Sequence, residues 1–539
     1  MKTLPLAAAL LAFAAPAARA TDFGAYLASQ FATSQGRLDL AAHNMMAALD
    51  ADPSSVELQK DAFALALLAG MPDAVHLAAS VPDNPAAQLL LADNKARAGD
   101  WQAAELAYAE LGHSGVIDAL RPLLLAWAQQ AQGRIDRALA TLQTAAEGGH
   151  LANFYLLHAA LIADVDHRDG LAARMYAQVQ KDMGEPNLRL AQILASWQAR
   201  SGNMDQARAT IEALVHATPE LGLAEKSLLA NIDKPQIADA RQGIAEAYAS
   251  MAGALRGQDS GELPALLLQL ALGMQPDLTE ARLIGAEIDS GNHDDLHAAQ
   301  QLADVSPNDP LAPVAALQLA AFQGRLGQDG KAASTLEKLA AEFPDQPQPL
   351  TELGDIYAGE KKYPDAVAAY DRAVARLAHP QKQDWVLFYA RGAALERVND
   401  WARAEADMKE ALTLSPDQPF VLNFLGFSWT EQNHNLDQAK HMIQRALEQR
   451  PNDGAIVDSL GWVLLRQGDV KDAVHTLEKA AEMEPVDPSI TGHLGDAYWD
   501  AGRHVEAEDQ WRRALALDPD PGEAARIETR LKSASAGAP

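Results

Sequence analysis

The sequence predicts an all-α chain built from stacked antiparallel helix pairs, and three observations carry that expectation. Five times between Gly354 and Pro519, a Gly is followed twelve residues later by an Ala and seven later by a second Ala. The sets are Gly354/Ala366/Ala373, Gly392/Ala404/Ala411, Gly426/Ala439/Ala446, Gly461/Ala473/Ala480 and Gly495/Ala507/Ala514, the third with one extra residue inside Asn433-His434-Asn435. In the last four sets a Pro closes the unit, at Pro416, Pro451, Pro485 and Pro519. Small residues at fixed offsets with a period of about 34 mark a repeat array.

Each offset has a mechanical reason. Two helices that cross closely need small residues at the crossing, which the Gly and the two Ala provide. Large residues fill the gaps between them: Leu353, Tyr357 and Tyr370 in one unit, Leu494, Tyr498 and Trp511 in another. The closing Pro ends the second helix, because it cannot donate to the helix ladder and disfavours helix before it. One pair cannot bury its own apolar face, so neighbouring pairs must stack.

This pattern resembles the tetratricopeptide-repeat (TPR) family, most closely over 347–521, where Val457-Asp458-Ser459-Leu460-Gly461-Trp462 leads to Ala473 and Ala480. The resemblance implies an α-solenoid, a right-handed superhelix of antiparallel helix pairs. Upstream, Ala41/Ala48/Pro53, Ala104/Tyr108, Ala138/Ala145, Ala207/Ile211/Pro219 and Ala332/Leu336/Pro344 fit second-helix positions, and Ser29, Ala92, Ala126, Ala195 and Ala320 replace the first-helix Gly. That gives about twelve to fourteen units between 22 and 521. A divergent array is expected over 21–221, an irregular one over 222–346, and a well-formed one over 347–521. The stretch 56–84 is short for a unit. Within 222–312, Arg256-Gly257-Gln258-Asp259-Ser260-Gly261 reads as an extended turn or a bend in the solenoid.

The ends are read separately. Lys2, an apolar run from Leu4 to Ala15 and Ala18-Arg19-Ala20 describe a secretory signal peptide over 1–20, cleaved after Ala20. With no Cys in the chain, lipid attachment at the new N-terminus is not expected. A polar capping helix is expected over 522–532 and a disordered tail over 533–539. The reading is a periplasmic protein with no transmembrane helix.

The net charge is −29, and losing Lys2 and Arg19 would deepen it by two. A charge of that sign repels phosphate backbones and excludes broad nucleic-acid binding. No Walker loop, nucleophile elbow or dinucleotide fingerprint is present. His293 and His297 have metal-like spacing but no evident third ligand, and they read as an exposed turn after Gly291-Asn292. No catalytic residue, cofactor or metal is assigned, and an enzyme could hide only in the irregular 222–312 region. The oligomeric state is left open.

What remains is binding. In the TPR family the first helix of each pair lines an inner groove, which the resemblance places at unit positions 2, 5, 9, 12 and 13. With units starting at 385, 419, 454 and 488, the groove residues include Tyr389, Glu396, Arg397, Phe420, Asn423, Phe427, Asp458, Trp462, Leu465, Arg466, Asp496 and Trp499. Phe427, Trp462 and Trp499 recur on successive units with polar residues between them, the mix of anchors a peptide groove needs. Trp and Phe in such arrays also serve as core, and one residue of register error would bury them. Positions 5 and 9 hold Thr351/Asp355, Tyr389/Ala393, Asn423/Phe427 and Asp458/Trp462, so the Lys-based clamp for acidic chaperone tails is absent.

The text of Val421–Gly426, Val457–Trp462 and Gly492–Trp499 is also similar to secreted TPR proteins of Gram-negative bacteria. Among them is an outer-membrane lipoprotein that delivers cell-wall hydrolases to a carboxyl-terminal processing protease. That resemblance implies a scaffold or adaptor for envelope proteins or peptides, with such a protease and cell-wall enzymes as partners. The alternative is an assembly or secretion factor for envelope machinery.

Overall fold

A computed structural model describes residues 17–112, 115–147, 149, 151–183, 187–256 and 262–536. Among these residues every regular element is helical, from Ala17–Ser34 to Pro521–Ala536. Residues 1–16 of the signal-peptide expectation and 257–261 of the expected extended turn lie outside the described residues. No described helix is long and apolar enough to cross a membrane. The described residues form an all-α array of packed helix pairs, in two compact units, Met1–Gln346 and Pro347–Pro539.

In the second unit five helix pairs follow one another, and each pair packs along its length. They are Gln348–Gly359 with Tyr363–Val374, Trp385–Arg397 with Trp401–Leu414, Pro419–Glu431 with Leu436–Gln449, Gly454–Gln467 with Val470–Met483, and Pro488–Asp500 with His504–Ala516. Short turns force each pair antiparallel. A left-handed residue makes the reversal in every pair: Lys361, Asn399, Asn433, Gly468 and Gly502, with φ between 54° and 86°. Gly and Asn tolerate that region best. Two of the first helices carry a Pro at their first position, Pro419 and Pro488, and two follow an Asp whose carboxylate accepts a backbone N–H, Asp453 from Ile456 and Asp487 from Ile490.

The repeat glycines sit where the two helices of a pair meet. A Cβ built on Gly354 would stand 2.4 Å from the Tyr370 ring, on Gly461 2.6 Å from Leu477, and on Gly495 2.5 Å from the Trp511 indole. The alanines paired with them, such as Ala366, Ala473 and Ala507, are fully buried. The final helix, Pro521–Ala536, lies on the last pair. It runs past residue 532 through Ala536, which corrects the expected tail over 533–536; residues 537–539 lie outside the described set.

The first unit uses larger small residues at the same crossings. Ala92, Ala126, Ala195 and Ala320 are buried, and Ser29 donates to the Ala41 carbonyl at 2.8 Å. The stretch 56–84 forms a shortened pair, Val56–Leu68 and Asp73–Ala78. The irregular region departs from simple stacking. After Met204–Ala217 come a 3-10 turn at Pro219–Leu223, the short helix Glu225–Ala230 and a loop to Asp239. Helices Ala240–Leu255 and Leu263–Met274 then turn back onto earlier first helices: the former packs on Gly115–Ala131 and Ala152–Val165, the latter on Val56–Leu68 and Pro85–Arg97.

Candidate partner-binding face

Successive first helices of the second unit touch one another: Gln348–Gly359 with Trp385–Arg397, Pro419–Glu431 with Gly454–Gln467, and that helix with Pro488–Asp500. The second helices make no comparable mutual contacts. The side with the closer spacing is the inner side of the curve, so the first helices form the concave face.

At its early end, Tyr389 is half-buried, leans on Trp385 at 6.2 Å and meets the edge of Phe424 at 6.0 Å. Burial pushes its hydroxyl pKa up. Phe420 is 43% exposed beneath the Arg450 guanidinium, which lies 4.7 Å from the ring centre. Arg397 is exposed, lies over Tyr363 and reaches Asp520 at 3.5 Å. Asn423 is half-buried, and its Oδ1 is buried without a hydrogen-bond partner. Phe427 is half-buried, 6.0 Å from His493.

The late end is sealed, which corrects four sequence expectations. Trp462 is only 5% exposed: its indole stacks on His493 at 4.2 Å and 19°, and its Nε1 donates to Glu431. Asp458 is buried because it accepts from His493 Nδ1 at 2.9 Å. Asp496 is buried because it accepts from Trp511 Nε1 at 3.0 Å and pairs with Arg526 of the capping helix. Leu465 is buried as well. Burial pushes the His493 pKa down, but the charge and hydrogen bond of Asp458 outweigh it, so the pKa ends above its ordinary value. Trp499 stays half-buried beside Trp511 and His504, and Arg466 stays exposed, 5.8 Å from the Trp462 ring centre.

Thus Tyr389, Phe420, Asn423 and Phe427 share an open stretch of the face, while Asp458 and Trp462 form its wall. His493 and Phe424 escaped the sequence reading. Their signal was the repeat itself: Asp458 and His493 lie 35 residues apart, close to one period, so neighbouring first helices bring them together.

The corresponding face of the first unit is filled from within. Gly243 lets helix Ala240–Leu255 lie directly on the Trp127 indole, where a Cβ would stand 2.2 Å away. Tyr248 and Tyr108 donate to the buried Asp93 at 3.0 and 2.7 Å. Burial raises the Asp93 pKa to about 7, against the two hydroxyl bonds and Arg97, which lower it. Glu246 accepts from Arg189 at 2.6 Å. Burial raises the Glu246 pKa, but Arg189 outweighs it and leaves a net depression. His158 accepts from Trp127 Nε1 at 3.0 Å, and burial lowers its pKa to about 4. In the irregular region, His293 sits in an exposed left-handed turn and His297 contacts Asp289 at 2.7 Å.

The tetratricopeptide repeat family model matches residues 459–524, and a tetratricopeptide repeat-like domain model matches residues 234–388. A TPR repeat-containing protein of Pseudomonas aeruginosa is 29% identical over 180 residues, which is 33% of this chain and 30% of that protein's length. Among solved structures, a chain of the APC/C hetero-tetramer Cut9-Hcn1 aligns over 95% of this chain and 96% of its own, at 16% identity and a TM-score of 0.41. A tetratricopeptide repeat protein from Parabacteroides merdae covers 48% of this chain and 98% of its own, at 14% identity and 0.37. Residues 234–388 and 459–524 thus match tetratricopeptide repeats, and such repeats imply a scaffold for protein–protein interaction.

Proposed function

We propose that this scaffold is a non-enzymatic periplasmic adaptor that takes up partner polypeptides on the first-helix face of its second unit. The observation that carries the reading is the open stretch itself. Phe420 is exposed, and Tyr389, Phe427 and Asn423 are half-buried on the same first-helix face. Rings of this kind anchor the apolar side chains of a partner. In the first unit the equivalent face is taken by helix Ala240–Leu255, which leaves the second unit as the side that captures partners.

The finer reading is delivery of cell-wall enzymes to a carboxyl-terminal processing protease. The signal-peptide-like text over 1–20 and the similarity of Val421–Gly426 and Gly492–Trp499 to secreted TPR adaptors support it. A scaffold that holds substrate and protease together raises their effective concentration without new chemistry. The test is capture from periplasmic extract on the immobilised mature chain. A serine protease and cell-wall hydrolases, lost with Asn423→Ala/Phe427→Ala, support the adaptor. Outer-membrane and secretion subunits support the assembly factor instead. Capture indifferent to both substitutions removes the groove assignment.

A further inference from the structure

Helix Ala17–Ser34, the first of the first unit, carries an apolar strip that no described residue covers. Phe23, Leu27 and Phe31 follow one another at four-residue steps and are 63%, 50% and 68% exposed. Gly24, Ala28, Gln30 and Ser34 beside them are exposed as well, and no residue over 23–34 carries a charge. A contiguous apolar strip of this kind marks an interaction surface.

The repeat register says what the strip is built for. Ser29 stands where the later first helices carry their crossing Gly, so Leu27 lies two residues before that position and Phe31 two after it. In the second unit the residues two after the Gly include Ala394, Ser428, Val463 and Ala497, and all four are buried. Those two before it, Ala390, Phe424, Ser459 and His493, are buried or half-buried. Each of these first helices receives the second helix of the pair before it. Helix Ala17–Ser34 instead packs on Leu38–Ala51, the second helix of its own pair. Its strip is therefore a stacking face without the neighbour that such arrays need.

We propose that a second copy of the chain covers this face, strip to strip, with the two 23–34 segments antiparallel about a two-fold axis near Leu27 and Ala28. That arrangement sets each Phe31 against Gly24 of the other copy and covers both strips at once. Charge favours it. Chains of net charge −29 repel one another, and the strip is a place where contact brings no like charges together. Head-to-tail stacking meets an obstacle at the other end: helix Pro521–Ala536 closes the last pair, and its exposed Glu528, Arg530 and Lys532 would lose water. At about 150–250 Å² for a fully buried Phe, the strip and its flanks cover roughly 400–600 Å² per copy, short of the ~800 Å² per partner of a standard interface. The dimer is therefore weak and depends on concentration.

The test is sedimentation velocity on the full chain, expressed with its leader and purified as the cell processes it, from ~1 to ~500 μM. A shift from monomer to dimer, and no further, is expected. Leu27→Glu should raise the dimer Kd at least ~10-fold with an unchanged melting curve, since the side chain is exposed in the single chain. The chain has no Cys of its own, so Ala28→Cys should give a disulfide-linked dimer under oxidising conditions, whereas Leu106→Cys, exposed on a second helix, should not. Phe427→Ala should leave the dimer intact, which separates this contact from the partner-binding face of the second unit. A monomer at every concentration overturns the proposal, and so does a ladder of larger species, the mark of head-to-tail stacking. An unchanged Kd in Leu27→Glu, no crosslink at Ala28→Cys, or loss of the dimer in Phe427→Ala would each overturn it as well.

Discussion

Tyr248 donates its hydroxyl to both carboxylate oxygens of Asp93 at 3.0 Å, although 155 positions separate the two residues. The bond ties a helix from the irregular middle of the first unit to a first helix near its start. It marks where the concave face of a repeat array has taken in a helix of its own chain.

That contact makes a pH prediction. Asp93 binds its proton more tightly in the folded chain, with a pKa of about 7 against the usual 3.8. Its contribution is full below about 4 and is lost as pH rises through about 7. His158 works the other way: its folded pKa of about 4 lies under the usual 6.5, so its contribution is present above 6.5 and is lost as pH falls through 4. Between pH 4 and 6.5 the two slopes cancel, each being about 1.4 kcal/mol per pH unit. Asp93→Asn should therefore make the first unit more stable as pH rises through this window, and His158→Gln should make it less stable. Native-state hydrogen exchange of helix Ala240–Leu255 reads both slopes. Parallel profiles in the two variants would contradict the assignment.

Gly243→Ala should loosen the inserted helix, since the added carbon would stand 2.2 Å from the buried Trp127 ring, well inside van der Waals contact. Overpacking of this kind costs about 1–3 kcal/mol. Faster exchange confined to Ala240–Leu255, with the second unit unchanged, is the expected result.

Asp458→Asn removes the charge that holds the His493 imidazolium. The His493 pKa is raised in the folded chain, so the pair's contribution is full below 6.5 and is lost as pH rises through the folded value. The variant should cost about 3 kcal/mol in the second unit at pH 5.5 and less at pH 8.5, by urea unfolding. A loss that grows with pH would contradict the ion pair.

Gly495→Val should separate Pro488–Asp500 from His504–Ala516, because its side chain meets Trp511. A loss of about 1–3 kcal/mol is expected, whereas Gly522→Ala, with open space around it, should be close to neutral. Thermal unfolding compares the two.

The pairs themselves were legible because sterics at a helix crossing write small residues into fixed positions: Gly354, Gly461 and Gly495 each sit under a large ring or Leu of the partner helix. Exposure was harder to read. Trp462 occupies a groove register, but His493 from the next first helix stacks on it, and nothing within one repeat announces a neighbour's side chain. Asp496 was hidden likewise, by Arg526 of the capping helix. The inward turn of Ala240–Leu255 left only a broken period in the sequence, because Gly243, Glu246 and Tyr248 find their partners far along the chain.

The most direct test places a photo-crosslinking benzophenone residue at Phe427, on the open face, and at Leu106, which is exposed on a second helix, in cells carrying the full chain. Discrete polypeptide adducts at Phe427 and none at Leu106 are predicted. No adduct at Phe427, or the same adducts at both positions, would contradict a partner-binding face built on the first helices.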